Sequence, residues 1–513
     1  MRTIDARAGR YLWISVWNST QPVTIGALHV REERYPVEQR GSFHSNDALL
    51  NRIWQVGVDT LYPNMTDAYT DTPWRERGQW WGDAFVGFQI NRVAFGDALL
   101  FRRALRFMGE GIDAEGKPSA FVPGGASVML LDFGLLWVHA LKEYWQLTED
   151  KELVRAYYPK LHRLMQYAAS FVHPQSGLLD MPRKHWSQIA FLDWSVSDSR
   201  YGQSTALNAI YYQSLRDAAV LASTVGDDQG AYEFEQRAKR VLSGLLSRSY
   251  MPLRRAYADT LLEGEPLPPS LQAQAWAISH GAVPNDLRAK VLRSLNALVS
   301  LHPSARMTVP STSSVQPYGM YWLLRALGES RAYAEALEVI RSYYGEMLRR
   351  GATTWWERFF ADRYYTASYS HAWGGSPTWF LSTYILGAEQ LSPRSWRLTP
   401  AWVVSMSVSG TLPLLGSGEE LHVRWERLDC AFGELSLRAP HGSVGELKIM
   451  QVNALRLLAL NGRTVWQDGE PLVSGVVQDE EGLTVRHISG GTHHVVLHWN
   501  CESATHGNRD QYI

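Results

Sequence analysis

The sequence predicts a mainly α-helical fold: an (α/α)6 toroid of six helical hairpins, with a C-terminal all-β sandwich and a short N-terminal β segment. Three observations predict it. From about Ser45 to Gly387, apolar residues recur at three- and four-residue spacing in roughly a dozen segments, the period of a helix with one buried face. The links between those segments alternate between very short and long. Short links make antiparallel hairpins, and long ones then gather at one end of the ring. After Pro393 the helical period stops, and strict alternation with Gly and Pro turns replaces it.

Taken in order, residues 10–40 read as strands. Leu12, Ile14 and Val16 alternate with other residues, Asn18–Pro22 turns the chain, and Val23 and Ile25 alternate again. Two or three strands are not stable alone, so this stretch is expected to pack on the barrel or the sandwich. The helical segments fall near 46–62, 84–94, 96–110, 131–147, 150–172, 203–224, 227–249, 270–280, 285–300, 316–328, 330–350 and 374–387. Thr148–Asp150 and Gly226–Asp228 are examples of the short links. The long ones are 63–83, 111–130, 173–202, 250–269, 301–315 and 351–373, and together they would build a pocket. Residues 400–499 hold strand patterns such as Val404–Val408, Leu421–Trp425 and Val495–Trp499. The expected domains are therefore 1–44, 45–390 and 391–513.

Composition narrows the function. Lys plus Arg is 50 and Asp plus Glu is 51, so there is no electrostatic case for nucleic acid or an anionic membrane as partner. No apolar run approaches the roughly 18 residues that span a bilayer. The N-terminus lacks an apolar signal region, which predicts a cytoplasmic protein. Cys430 and Cys501 lack metal-ligand spacing, and two thiols make no disulfide framework. With 21 Trp and 24 Tyr, the chain is rich in flat apolar faces that suit sugar rings, although most must simply fill the core. The expected partner is a small glycoside or oligosaccharide, with no cofactor and no metal.

The chemistry concentrates in Asp71-Thr-Pro-Trp-Arg-Glu-Arg-Gly-Gln-Trp-Trp-Gly-Asp83. Asp71, Glu76 and Asp83 would repel one another if all ionised, with Arg75 and Arg77 partly offsetting this. Such crowding raises a carboxyl pKa, as a general acid at neutral pH requires. Glu76 is the expected acid, and Trp80 offers a ring face. A sugar hydrolase needs a second carboxylate across the pocket. Glu357, beside Trp356 in a long loop, is the best candidate; its plain alternative is an ion pair with Arg358 or another arginine. Asp132 opens a helix and reads as either N-cap or sugar ligand. Asp193 and Trp194 lie in another long loop. His371 and Trp373 precede the last helix, where His371 reads as a packing residue or as a donor to a sugar hydroxyl.

The segments Asp71–Asp83, Phe191–Trp194, Trp356–Arg358 and Ser370–Gly387 together resemble the bacterial α-L-rhamnosidases of glycoside hydrolase family 78. The resemblance covers roughly residues 10–500, including the domain order. It implies that Glu76 is the general acid and Glu357 the general base of an inverting hydrolysis, and that Asp71, Trp80, Asp83 and His371 contact the sugar. Thr72 and Trp74 stand where the family more often has Cys and Gln, and the complete N-terminal β-domains usual in the family are not seen. Two other readings stay open: an inverting glycosidase of the same fold with another sugar specificity, and a non-catalytic carbohydrate-binding protein. The latter would not need both glutamates.

Overall fold

The computed structural model describes residues 9, 11–124, 128–195, 200–301, 315–359, 361, 367–450, 452 and 454–501. Its helices are α1 (Ala48–Leu61), α2 (Trp81–Ala94), α3 (Leu99–Glu110), α4 (Leu131–Thr148), α5 (Lys151–Ala169), α6 (Thr205–Val225), α7 (Asp228–Gly244), α8 (Leu271–Ser279), α9 (Asn285–Leu301), α10 (Pro317–Glu329), α11 (Tyr333–Arg349) and α12 (Ser376–Phe380), the last running on as one π turn. Each falls within a few residues of an expected segment.

The even-numbered helices form an inner ring. Neighbours pack in sequence from α2 to α12, and α12 packs back on α2. All fourteen residues of α2 are buried, because an inner helix meets protein on every side. Odd-numbered helices lie outside and bury one stripe, as α3 does with Leu100, Phe101, Ala104, Leu105 and Met108. Helix α1 closes the outer ring against α11 and α12. The inner-to-outer links are short: Glu149 in a left-handed turn ends α4, and Gly226 does the same for α6. The outer-to-inner links are the long ones. All six inner helices therefore present their N-terminal ends to the long loops, at one mouth of the toroid.

The expected C-terminal sandwich is built around two 18-residue strands, Phe432–Ile449 and Gly482–Trp499, which pair antiparallel. Register breaks between Ala439 and Val444 split the first strand. One half pairs with Glu420–Arg427 and the other with Ser395–Leu398, in parallel. The bend lets one continuous hydrogen-bonded sheet enclose a core that holds Trp396, Trp402, Trp425 and Trp466.

Two expectations change. Residues 11–41 contain no strand; only Ser42–Ser45 does, pairing antiparallel with Met406–Pro413 of the C-terminal sheet. Leu12, Ile14 and Val16 are 64%, 50% and 53% exposed, so the alternating residues before the turn are not buried in a core. Alternation needs a neighbouring strand to become structure, and none is offered there. Attachment begins further on, where Tyr35 N donates to Met65 O and Arg40 pairs with Glu420. The second change concerns the cysteines. Cys430 and Cys501 form a disulfide. They are 71 residues apart, but they flank the far ends of the two long paired strands, where Phe432 faces His498. Linear spacing carries no trace of that pairing. Among the described residues no helix is long and apolar enough to cross a membrane.

Candidate active site

The long loop before α2 folds back on itself. Asp71 N donates to Gly78 O, and Gly78 N donates to Asp71 Oδ1 at 2.8 Å. Gly78 is required by contact as well: a Cβ there would lie 1.8 Å from the Phe121 ring. Arg77 takes a left-handed backbone (φ 53°), the strain that closes the loop. Trp80 ends it, stacked on Phe121, and Asp83 follows in the first turn of α2. Placed at helical N-termini, acidic side chains are favoured by the helix dipole.

A cavity of about 230 Å3 opens at this mouth, small beside the usual ligand cavities of about 300–1,000 Å3 and suited to one sugar ring. One side is polar. It holds Asp71, Arg75, Glu76, Asp83, Glu357 and His371. Glu357 arrives from the loop between α11 and α12, where Glu357 N donates to Ser368 O and Ser368 N donates back to Glu357 Oε2. Arg75 bridges the two glutamates: Nη1 lies 2.6 Å from Glu76 Oε1 and Nη2 2.8 Å from Glu357 Oε2. Its Nε donates to Ser368 Oγ. Only a planar guanidinium offers such a fork. The plain alternative for Glu357 was an ion pair with Arg358 or another arginine, and Arg75 supplies it. The Arg358 side chain lies over the face of Trp194, 4.0 Å from the ring centre.

Glu76 is about one-third exposed at the mouth and accepts a hydrogen bond from Trp80 Nε1 at 2.9 Å. Deeper in, His371 Nε2 and Asp83 Oδ1 are 2.7 Å apart, both almost fully buried. Burial lowers the affinity of His371 for a proton, but the Asp83 carboxylate and then Glu357 and Asp71 outweigh it and hold the imidazole above its ordinary value. Asp71 is pushed up to about 7 by burial; His371 opposes the shift, and Asp83 and Glu76 add to it. The carboxyls raised in this stretch are thus Asp71 and Asp83, both chiefly by burial, with crowding a smaller contribution. Asp71 Oδ2 and His371 Nδ1 are buried without a hydrogen-bond partner among the described residues. Such orphaned polar atoms in a cavity call for a polar ligand.

The other side is aromatic. Trp194 and Trp373 were expected there, and Trp373 stacks on Phe191 at 5.6 Å. Phe133, Phe191, Trp186 and Arg358 also line it, though none of them was an expected site residue. Phe133 and Phe191 sit one and two positions from Asp132 and Asp193. Those aspartates do not line the cavity. Asp132 Oδ2 accepts from the Phe191 and Leu192 amides, and Asp193 accepts from Gln316 N, Gly319 N and Ser195 Oγ. Nor is Asp132 the N-cap of α4; that place is taken by Leu130. Trp356 also lies off the cavity, packed edge-on against Tyr369.

Residues 38–385 match the family model of the bacterial alpha-L-rhamnosidase 6 hairpin glycosidase domain. No curated protein matches the chain. Among solved structures, a family 78 rhamnosidase of Bacillus sp. GL1 is 26% identical, with a TM-score of 0.72 over 82% of this chain and 43% of that one. The α-L-rhamnosidase from Dictyoglumus thermophilum superimposes at 0.74 with 17% identity, over 90% and 51% of the two chains. That of Streptomyces avermitilis, complexed with L-rhamnose, gives 0.70 with 19% identity, over 90% and 42%. The chain thus spans about half the length of these enzymes or less. With the six-hairpin ring, its mouth of long loops and a family match over two-thirds of the sequence, the chain belongs to the bacterial α-L-rhamnosidase six-hairpin glycosidase family.

Proposed function

We propose that the protein hydrolyses terminal α-L-rhamnosides with inversion at the anomeric carbon. The observation that carries this reading is the pair of glutamates, 281 positions apart in sequence, held by one arginine across a single sugar-sized cavity. Glu76 gives its proton to the glycosidic oxygen as the C1–O bond breaks. Glu357 takes a proton from the water whose oxygen bonds to the opposite face of C1. Arg75 ties the two side chains together in the free protein. Glu357, more deeply buried, is held by Ser368 N besides, which fixes its side chain for the role of general base.

Asp71, carrying a proton below about pH 7, is suited to donate to a sugar hydroxyl through its unpartnered Oδ2. The His371–Asp83 pair offers a second donor at Nδ1. Trp80, Trp194 and Trp373 supply apolar faces, and the Phe191 side of the cavity would receive the C6 methyl of rhamnose. One methyl discriminates by only about 1–3 kcal/mol, so mannosides should turn over slowly rather than not at all. For location, the bonded Cys430 and Cys501 favour an oxidising compartment over the cytoplasm.

The test is NMR of the first sugar released from p-nitrophenyl α-L-rhamnoside. Inversion gives the β-anomer first. If the α-anomer comes first, Glu357 is a nucleophile and not a base; if a mannoside reacts as fast, the assignment of the methyl pocket fails.

A further inference from the structure

We propose that Asp132, Asp193 and Arg200 form a buried clamp on the Phe191–Trp194 turn, fixing it as the aromatic wall of the pocket and governing sugar recognition without touching the sugar. The proposal rests on the glycosidase reading above. Within the turn, Phe191 and Trp194 line the cavity, whereas Leu192 and Asp193 do not and are fully buried behind it. Leu192 adopts a left-handed backbone (φ 56°), which a branched side chain does not choose and which its surroundings must impose.

The imposing contacts are all present. Asp132 Oδ2 accepts from two consecutive amides, Phe191 N at 3.0 Å and Leu192 N at 2.9 Å. Two successive N–H groups converging on one anionic oxygen hold the backbone in this curl. From the other side, Arg200 Nε donates to Phe191 O at 2.9 Å and Nη2 to Asp193 O at 2.5 Å. The Asp193 carboxylate accepts from Gln316 N and Gly319 N at the start of α10, tying the turn to the inner ring. Gly319 is needed for that approach, since a Cβ there would meet Asp193 Oδ2 at 2.7 Å. Gln316 Oε1 in turn accepts from Phe359 N, two residues beyond Glu357. The wall and the loop bearing the proposed base are thereby held by one set of hydrogen bonds. These are positioning residues, acting through Phe191 and Trp194.

The experiment compares Asp132→Ala, Asp132→Asn and Arg200→Met with wild type, using p-nitrophenyl α-L-rhamnoside kinetics, inhibition by L-rhamnose, and hydrogen exchange of the Phe191 and Leu192 amides. Asp132→Ala should raise KM and weaken L-rhamnose inhibition about tenfold, with kcat within about threefold, because only binding of the sugar against the wall is lost. The same two amides should exchange faster. Asp132→Asn keeps an oxygen that accepts both N–H groups and should restore KM and amide protection. An Asn variant as impaired as Ala, with amides still protected, would overturn the clamp in favour of direct contact with the sugar. A folded Asp132→Ala protein with wild-type KM and wild-type exchange would overturn it outright. Should that variant not fold, Arg200→Met decides, because it removes the donors to Phe191 O and Asp193 O and leaves the Asp132 contacts with the two amides in place; unchanged KM and exchange there would sink the idea. If wild type releases no rhamnose, the glycosidase reading fails, and the amide exchange rates still decide the clamp.

Discussion

The inner ring of helices carries buried charge at both ends, and the two ends use it differently. Toward the C-terminal ends of the helices the charges satisfy one another. Arg92 pairs with Glu143, which also accepts from Gln89. His139 pairs with Asp217 at 2.7 Å, Gln213 donates to the same carboxylate, and Arg325 pairs with Glu329. Burial alone would raise Glu143 and Asp217, but their cationic neighbours win and hold both below the ordinary carboxylate range. At the N-terminal end burial wins instead: Asp71 and Asp83 are raised, and polar atoms of Asp71 and His371 lack partners among the described residues. The paired charges lie on the inner helices α2, α4, α6 and α10, whereas at the mouth only Asp83 is on an inner helix and Asp71 and His371 come from the loops. The difference teaches that buried charge becomes a site when its pairing is left unfinished, and a stabilising plug when it is complete.

The largest effect expected is on rate. Glu357→Gln should lower kcat about 10²–10⁴-fold on every substrate, because water activation is needed whatever leaves. Glu76→Gln should lose as much on alkyl rhamnosides but far less on the nitrophenyl glycoside, whose leaving group needs little protonation; equal losses on both would remove Glu76 from the role of acid. Glu143→Ala, at the paired end, should cost about 3–5 kcal/mol of stability by leaving Arg92 buried and alone, while kcat per folded molecule stays the same. A thermal melt and an active-site titration separate the two, and an unchanged melt would mean that the plug contributes nothing.

Asp71→Asn sharpens the contrast through pH. The carboxyl of Asp71 rises on folding from about 3.8 to about 7, so between those values the folded chain binds more protons than the unfolded one. Stability from this group is complete below about pH 4 and is lost as pH rises toward 7. Glu143 and Asp217 have the opposite sign: lowered on folding, they stabilise above their unfolded pKa, and that stability is lost as pH falls through the folded one. Denaturant titrations across pH 4–7 should show the declining component shrink in Asp71→Asn, the remainder coming from Asp83, Asp132 and Asp193, which burial also raises; an unchanged slope would remove Asp71 from this role. The smallest effect is expected from deleting the chain up to Val30. The described side chains there, from Tyr11 to Val30, are exposed, so the melting temperature should not move. A clear drop would show that the segment packs on the barrel or the sandwich after all.

The helical ring was legible because it rests on period and punctuation. Leu49 to Val58, Phe85 to Val93 and their successors carry the 3.6-residue spacing, and short links such as Gly226–Asp227 stop the chain where it must reverse. The loop Asp71–Asp83 stood out by composition, and Glu357 by its aromatic setting, because reactive groups crowd together in local sequence before any folding. What local sequence cannot carry is direction. Asp132 and Phe133 are neighbours on one helix, yet one holds a turn from behind and the other faces the cavity, since a helix turns side chains about 100° per residue. Alternation at Leu12–Val16 looked like a strand and had no neighbour to make it one, whereas Cys430 and Cys501 looked unrelated until two long strands paired. By itself the sequence determined the elements, their order and the chemical types at the mouth of the ring. The tertiary structure alone decided that Arg75 and not Arg358 holds Glu357, that Asp71 is the carboxyl pushed to about 7, and that the charges at the far end are paired. Distance and desolvation set those outcomes, and both come into being only when segments hundreds of residues apart are brought together.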